Sequence, residues 1–144
     1  MIRRWSISLI AAAHFMLLFG GCAQEPYKTT LASGVVLHNG QPLAGIEVQF
    51  CPDPEMGTQG PSALGETDDQ GKFVLRYAVP GAAESKEGAV VGTHKVTLGD
   101  LRQKPAPQGS PPNPSRIPKI YGSLQTTPLR QEVKEGMEIK IEVP

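Results

Sequence analysis

The chain has 144 residues, of which 16 are Gly and 14 are Pro, so about one residue in five favours turns, against an average nearer one in eight. That excludes a helical bundle. Fourteen Lys and Arg balance fourteen Asp and Glu, and 39% of residues are apolar, which excludes both a nucleic-acid-binding charge excess and a highly charged disordered chain.

Residues 1–21 have the layout of a signal peptide, with Arg3 and Arg4 first, an apolar run from Ile7 to Phe19, and Gly20-Gly21 before Cys22. The run is too short for a stable transmembrane helix, which needs roughly 20 apolar residues. Trp5-Ser6-Ile7 fits a twin-arginine motif poorly. Small residues directly before a cysteine, with Leu18 upstream, resemble the lipobox of bacterial lipoproteins. In those proteins the cysteine thiol is acylated and becomes the mature N-terminus, so Cys22 is the expected lipidation site. Phe19 stands where Leu is usual. Ordinary signal cleavage nearby is the alternative and would leave Cys22 a plain thiol. With Cys22 acylated, Cys51 has no intramolecular partner, since the sequence holds two cysteines.

Residues 22–30 are small or polar without a clear period and read as a tether, and residues 31–144 as one domain. Through that domain apolar residues recur at period two in short runs bounded by Gly, Pro, Asn and Asp, the pattern of strands and turns. The run from Val35 to His38, the turn Asn39-Gly40 and the run from Ile46 to Cys51 predict a hairpin. There Ile46, Val48 and Phe50 share the buried face, and Pro52-Asp53-Pro54 ends the strand. A loop follows over 53–61, then a short strand over 62–67. In Asp68-Asp69-Gln70-Gly71 the first carboxylate can accept backbone hydrogen bonds across a turn. Beyond it Phe73, Leu75 and Tyr77 share a face, and Phe50 and Phe73 are assigned to the core. The strand over 89–98 sets His94, Val96 and Leu98 against Thr93, Lys95 and Thr97. Prolines crowd the stretch from Gly99 to Pro118 and predict an extended surface loop. Two last strands are centred on Leu129–Val133 and Ile139–Val143, with a turn at Glu135-Gly136. Seven strands and no amphipathic helix predict an all-β, two-sheet sandwich.

Several of these segments coincide in order and spacing with one family. Gly34-Val35-Val36, then Asn39 through Phe50, then Thr67-Asp68-Asp69-Gln70-Gly71-Lys72-Phe73 resemble the carboxypeptidase regulatory-like domain. Gly92-Thr93-His94-Lys95-Val96-Thr97 resembles its later strand, with His94 where Tyr is commoner. With the lipobox, Ile117 to Gly122 and Thr127-Pro128-Leu129, the layout is similar to small bacterial lipoproteins carrying that domain. The resemblance implies a seven-stranded prealbumin-like (transthyretin-like) β-sandwich that is non-catalytic. It also implies an exported protein, lipid-anchored to the cell membrane or outer membrane and facing the periplasm or cell surface.

No motif for catalysis, metal or cofactor stands out. His38 and His94 are isolated, and no H-x-H, H-E-x-x-H or C-x-x-C spacing occurs. Tyr27, Tyr77 and Tyr121 show no paired spacing suited to an iron site. Asp68 and Asp69 lack the further oxygen ligands of a calcium loop. The chain ends Glu142-Val143-Pro144, unlike the Tyr-Arg-Gly-Ser end of transthyretin-like hydrolases. The expected partners are the membrane, through the lipid on Cys22, and an envelope protein or glycan met by the loops over 52–61 and 99–118. The alternative is a small-molecule carrier or hydrolase with a loop pocket near His94 and Tyr121.

Overall fold

In the computed structural model, residues 26–103, 107–111 and 114–144 are described. They form twelve strand segments: β1 (Thr29–Thr30), β2 (Ser33–His38), β3 (Gln41–Pro42), β4 (Ile46–Pro52), β5 (Ala63–Glu66), β6 (Lys72–Val74), β7 (Arg76–Ala78), β8 (Ser85–Glu87), β9 (Ala89–Val90), β10 (Gly92–Asp100), β11 (Arg130–Val133) and β12 (Glu138–Val143). Two 3-10 turns, Pro54–Met56 and Lys119–Gly122, complete the elements, and no α-helix occurs among the described residues. The chain is all-β. One sheet has the order β11-β10-β4-β5-β7-β8; in the other, β12 lies along one edge of β2 while β3 and β6 share its opposite edge. The two sheets form a sandwich, and β1 with β9 makes a separate two-stranded ladder.

Alternation sets the inner faces. Val36, Ile46, Val48, Phe50, Leu75, Val96, Ile139, Ile141 and Val143 are fully buried. Phe50 and Phe73 are both buried, with ring centroids 6.3 Å apart and planes tilted by 42°, a separation suited to offset aromatic contact. Strands β12 and β2 run parallel and approach so closely that a Cβ on Gly34 would fall 2.2 Å from the Ile139 carbonyl oxygen. Only glycine fits there.

The expected hairpin is resolved differently. Asn39 and Gly40 take the positive φ values of 50° and 77° that a two-residue hairpin turn requires, but the turn joins β2 to the two-residue β3, not to β4. Pro42 cannot donate a further ladder bond. The chain then crosses the sandwich, and β4 pairs with β10 and β5 in the opposite sheet. Thr67 pins this crossover: its hydroxyl donates to the Leu43 carbonyl at 2.7 Å and accepts from the Ile46 N–H at 2.9 Å. A second departure is the strand expected through Phe73 and Tyr77. It changes sheets at Leu75, so β6 belongs to one layer and β7 to the other, while Phe73, Leu75 and Tyr77 all stay buried. Thr29 and Thr30, placed in the tether by sequence, pair with Val90 and Ala89.

Candidate functional site

Cys22, the expected lipidation site, lies outside the described residues. His94 sits on the inner face of β10, fully buried, with its ring 5.7 Å from that of Phe50. Tyr121, in the second 3-10 turn, is buried with Ile117 as part of the core. The segment that carries them closes an open edge, because β11 pairs with β10 only from Gly92 to Lys95. Beyond that point Val96 donates its N–H to the Leu129 carbonyl at 3.1 Å, and the Thr127 hydroxyl donates to the Val96 carbonyl at 2.6 Å. Among the described residues, four surface clefts are formed without His94 or Tyr121 in their walls.

The Pro-rich segment is the longest connection between strands. Its ends are more ordered than the sequence implied: β10 continues to Asp100, Ser115 and Arg116 are half-buried, and Ile117 is buried. Asp100 and Arg116 lock its base. The Arg116 guanidinium donates from Nε to Asp100 Oδ2 at 3.0 Å and from Nη2 to Oδ1 at 2.5 Å. The backbone N–H groups of Arg116 and Arg102 add bonds of 3.0 and 3.1 Å. The side chain of Asp100 is only 2% exposed. Hydrogen bonds from the Arg116 side chain hold its carboxyl down to about 2, against the opposing cost of burial, and the same contacts raise Arg116. Charge-assisted, two-pronged pairing of this kind fixes orientation as well as energy. The described loop residues 101–103, 107–111 and 114 are exposed. Against the base of the loop lies a cleft of about 530 Å³, with Leu98, Ile117 and Pro118 among its apolar walls and Gln103, Ser115 and Lys119 among its polar ones.

Two features escaped the sequence reading. Asp53, assigned only to the end of a strand, is fully buried. Its Oδ1 accepts the Glu55 N–H at 3.2 Å, and Oδ2 forms an ion pair with Arg130 Nε at 3.2 Å without hydrogen-bond alignment. The acidic residue before Pro54 was a helix-cap signal, since Asp is favoured where a side chain must accept a free N–H at the start of a turn. The pairing of Asp100 with Arg116 left no local trace, because the two are joined only after the loop has closed. Among the described residues, no three His, Cys, Asp or Glu side chains converge to hold a metal ion. Comparisons with family models, curated proteins and solved structures returned no match.

Proposed function

We propose that this chain is an exported, lipid-anchored, non-enzymatic β-sandwich of the cell envelope, held to its membrane through Cys22 and binding an envelope protein through its loops. The observation that carries the reading is the clamped loop. An ion pair with a buried carboxylate joins the two ends of a Pro-rich segment whose described residues 101–103, 107–111 and 114 are exposed. Rigidly mounted exposed loops are common binding elements, and prolines lower the entropy lost when an extended segment docks. The aromatic side chains of the domain favour a protein over a glycan as partner: Phe50, Phe73, Tyr77 and Tyr121 are buried and Tyr27 is half-buried, leaving no fully exposed ring on which a sugar could stack.

The finer assignment, a prealbumin-like carboxypeptidase regulatory-like domain, draws its support from the ordered motifs around Gly34, Asn39–Phe50 and Thr67–Phe73. The two-sheet architecture and the Asp68 turn are compatible with it. In that turn Asp68 Oδ1 accepts the N–H groups of Gln70 and Lys72 at 2.8 and 2.9 Å. Membership in that family would support the non-catalytic reading, because the family's domain accompanies enzymes without performing their chemistry.

The test replaces residues 103–114 with a Gly/Ser linker of equal length in the anchored protein. The described residues of this span are exposed, so the thermal midpoint should stay within a few degrees. Recovery of the main envelope partner from detergent-solubilised membranes should fall sharply. Unchanged recovery would refute the binding role of the loop.

A further inference from the structure

We propose that the outer face of the six-stranded sheet, beside the start of the Pro-rich loop, docks a segment of a partner protein that presents a Lys or Arg side chain between aliphatic ones. This rests on the reading of the domain as a protein-binding module and names the chemistry of the partner. The first observation is a register. Glu47 on β4 and Glu66 on β5 stand directly opposite each other in the antiparallel ladder, both exposed on the outer face. Like charges placed directly opposite destabilise a strand pair. Nothing described neutralises them. Arg76 is committed to Glu87 at 2.9 Å, Arg102 to Asp69 at 3.3 Å, and Lys72, which lines an adjoining cleft with Glu66, forms an ion pair with neither carboxylate.

The second observation is apolar. Leu64, Val74 and Leu101 are 46%, 49% and 50% exposed, and all three line one cleft of about 460 Å³ together with Glu47, Glu66 and Arg76, whose charge is taken up by Glu87. A singly exposed leucine is ordinary, whereas apolar groups gathered around a polar centre mark contact surfaces. On the far side of Glu47, β10 presents Gly99, whose missing side chain leaves the acidic pair accessible from the direction of Leu101. Leu101 is also the first residue of the clamped loop, so the groove adjoins the loop's start.

The combination selects the occupant. A bare divalent cation would need more oxygen ligands than two carboxylates offer and would gain nothing from three aliphatic walls. An anionic lipid surface would be repelled by the unpaired carboxylates. A basic side chain flanked by aliphatic ones relieves the like-charge opposition and covers the leucines in one contact. Sites where a sequence breaks a local rule without internal compensation are often functional, and the opposition of Glu47 and Glu66 is such a break.

The test uses the full isotopically labelled chain in neutral-detergent micelles, titrated with the acetylated pentapeptide Val-Lys-Leu-Lys-Val and, separately, with its Val-Glu-Leu-Glu-Val counterpart. The lysine peptide should shift the amide resonances of Glu47, Leu64, Glu66, Val74 and Leu101, and its binding should weaken as ionic strength rises. The glutamate peptide should leave them in place. Glu47→Gln combined with Glu66→Gln should weaken binding of the lysine peptide about tenfold, while the thermal midpoint of the free protein stays level or rises. Equal shifts from both peptides, no shifts at these residues, or full binding by the double variant would overturn the proposal. So would concentration-dependent shifts of the same amides without peptide, which would assign the face to a second copy. Loss of partner recovery on loop replacement is read separately, so either claim can fail alone.

Discussion

The imidazole of His94 lies wholly within the sandwich, where Nδ1 is 3.0 Å from the Gly92 carbonyl oxygen and Nε2 has no partner. A carbonyl only accepts, so the ring proton resides on Nδ1 and Nε2 carries a bare lone pair. Burial pushes the histidine below its usual value, against a smaller upward effect of the bond to Gly92. The sign follows from linkage. A folded-state value below the unfolded one near 6.5 means that the unfolded chain takes up the proton first. Stability is therefore complete above about pH 6.5 and falls as the pH drops toward the folded-state value, with a slope of at most about 1.4 kcal/mol per pH unit. His94→Leu should flatten urea-derived stability between pH 7 and 5, and an unchanged slope would show that another group is responsible. The neighbouring Phe50 is fully buried, and Phe50→Ala should cost about 3 to 5 kcal/mol through lost burial and the cavity left behind. An unshifted denaturant midpoint would contradict its place in the core.

At the scale of elements, the Asp100–Arg116 pair acts as a latch across the Pro-rich loop. A carboxyl held near 2 in the folded state and near 3.9 when unfolded contributes stability of the order of 2 kcal/mol at neutral pH, lost as the pH falls through the interval between these values. Asp100→Asn should remove that contribution at pH 7 and converge with the parent protein near pH 2. This window lies well below that of His94, so the two are separable in one titration of stability. The latch also shows which parts of the fold could be read in advance. Period-two alternation located the buried faces of β4, β10 and β12, because burial on one side of a strand writes itself into neighbouring residues. The Asp68 turn was legible for the same reason: all its bonds are local. Pairing was not. Val35–His38 and Ile46–Cys51 flank a good hairpin turn yet belong to opposite sheets, a choice enforced by the distant Thr67 and by the complementary edges of β10 and β12. The Glu47–Glu66 opposition and the Arg116 latch likewise depend on register and loop closure, which no local window contains.

At the scale of the molecule, the described domain begins where Lys28 accepts the Val91 N–H through its carbonyl at 2.8 Å and Thr29 joins β9. Cys22 lies seven residues before Thr29, and a chain of that length spans at most about 25 Å. Acylation at Cys22 would therefore hold the sandwich within a molecular diameter of the bilayer, with its loops facing partners in the same envelope layer. Stable anchoring requires more than one acyl chain, because a single chain gives only marginal, reversible attachment. Mass spectrometry of the membrane-extracted protein should accordingly show an N-terminal peptide beginning at Cys22 and carrying more than one acyl group. Cys22→Ala should shift the protein from the membrane pellet to the soluble or precursor fraction. The thermal midpoint of the released domain should remain that of the anchored one, because residues 22–25 precede all the strands of the sandwich. An unmodified mature N-terminus at another residue, or a Cys22→Ala protein that still sediments with membranes after removal of the apolar leader, would break the link between this cysteine and the membrane.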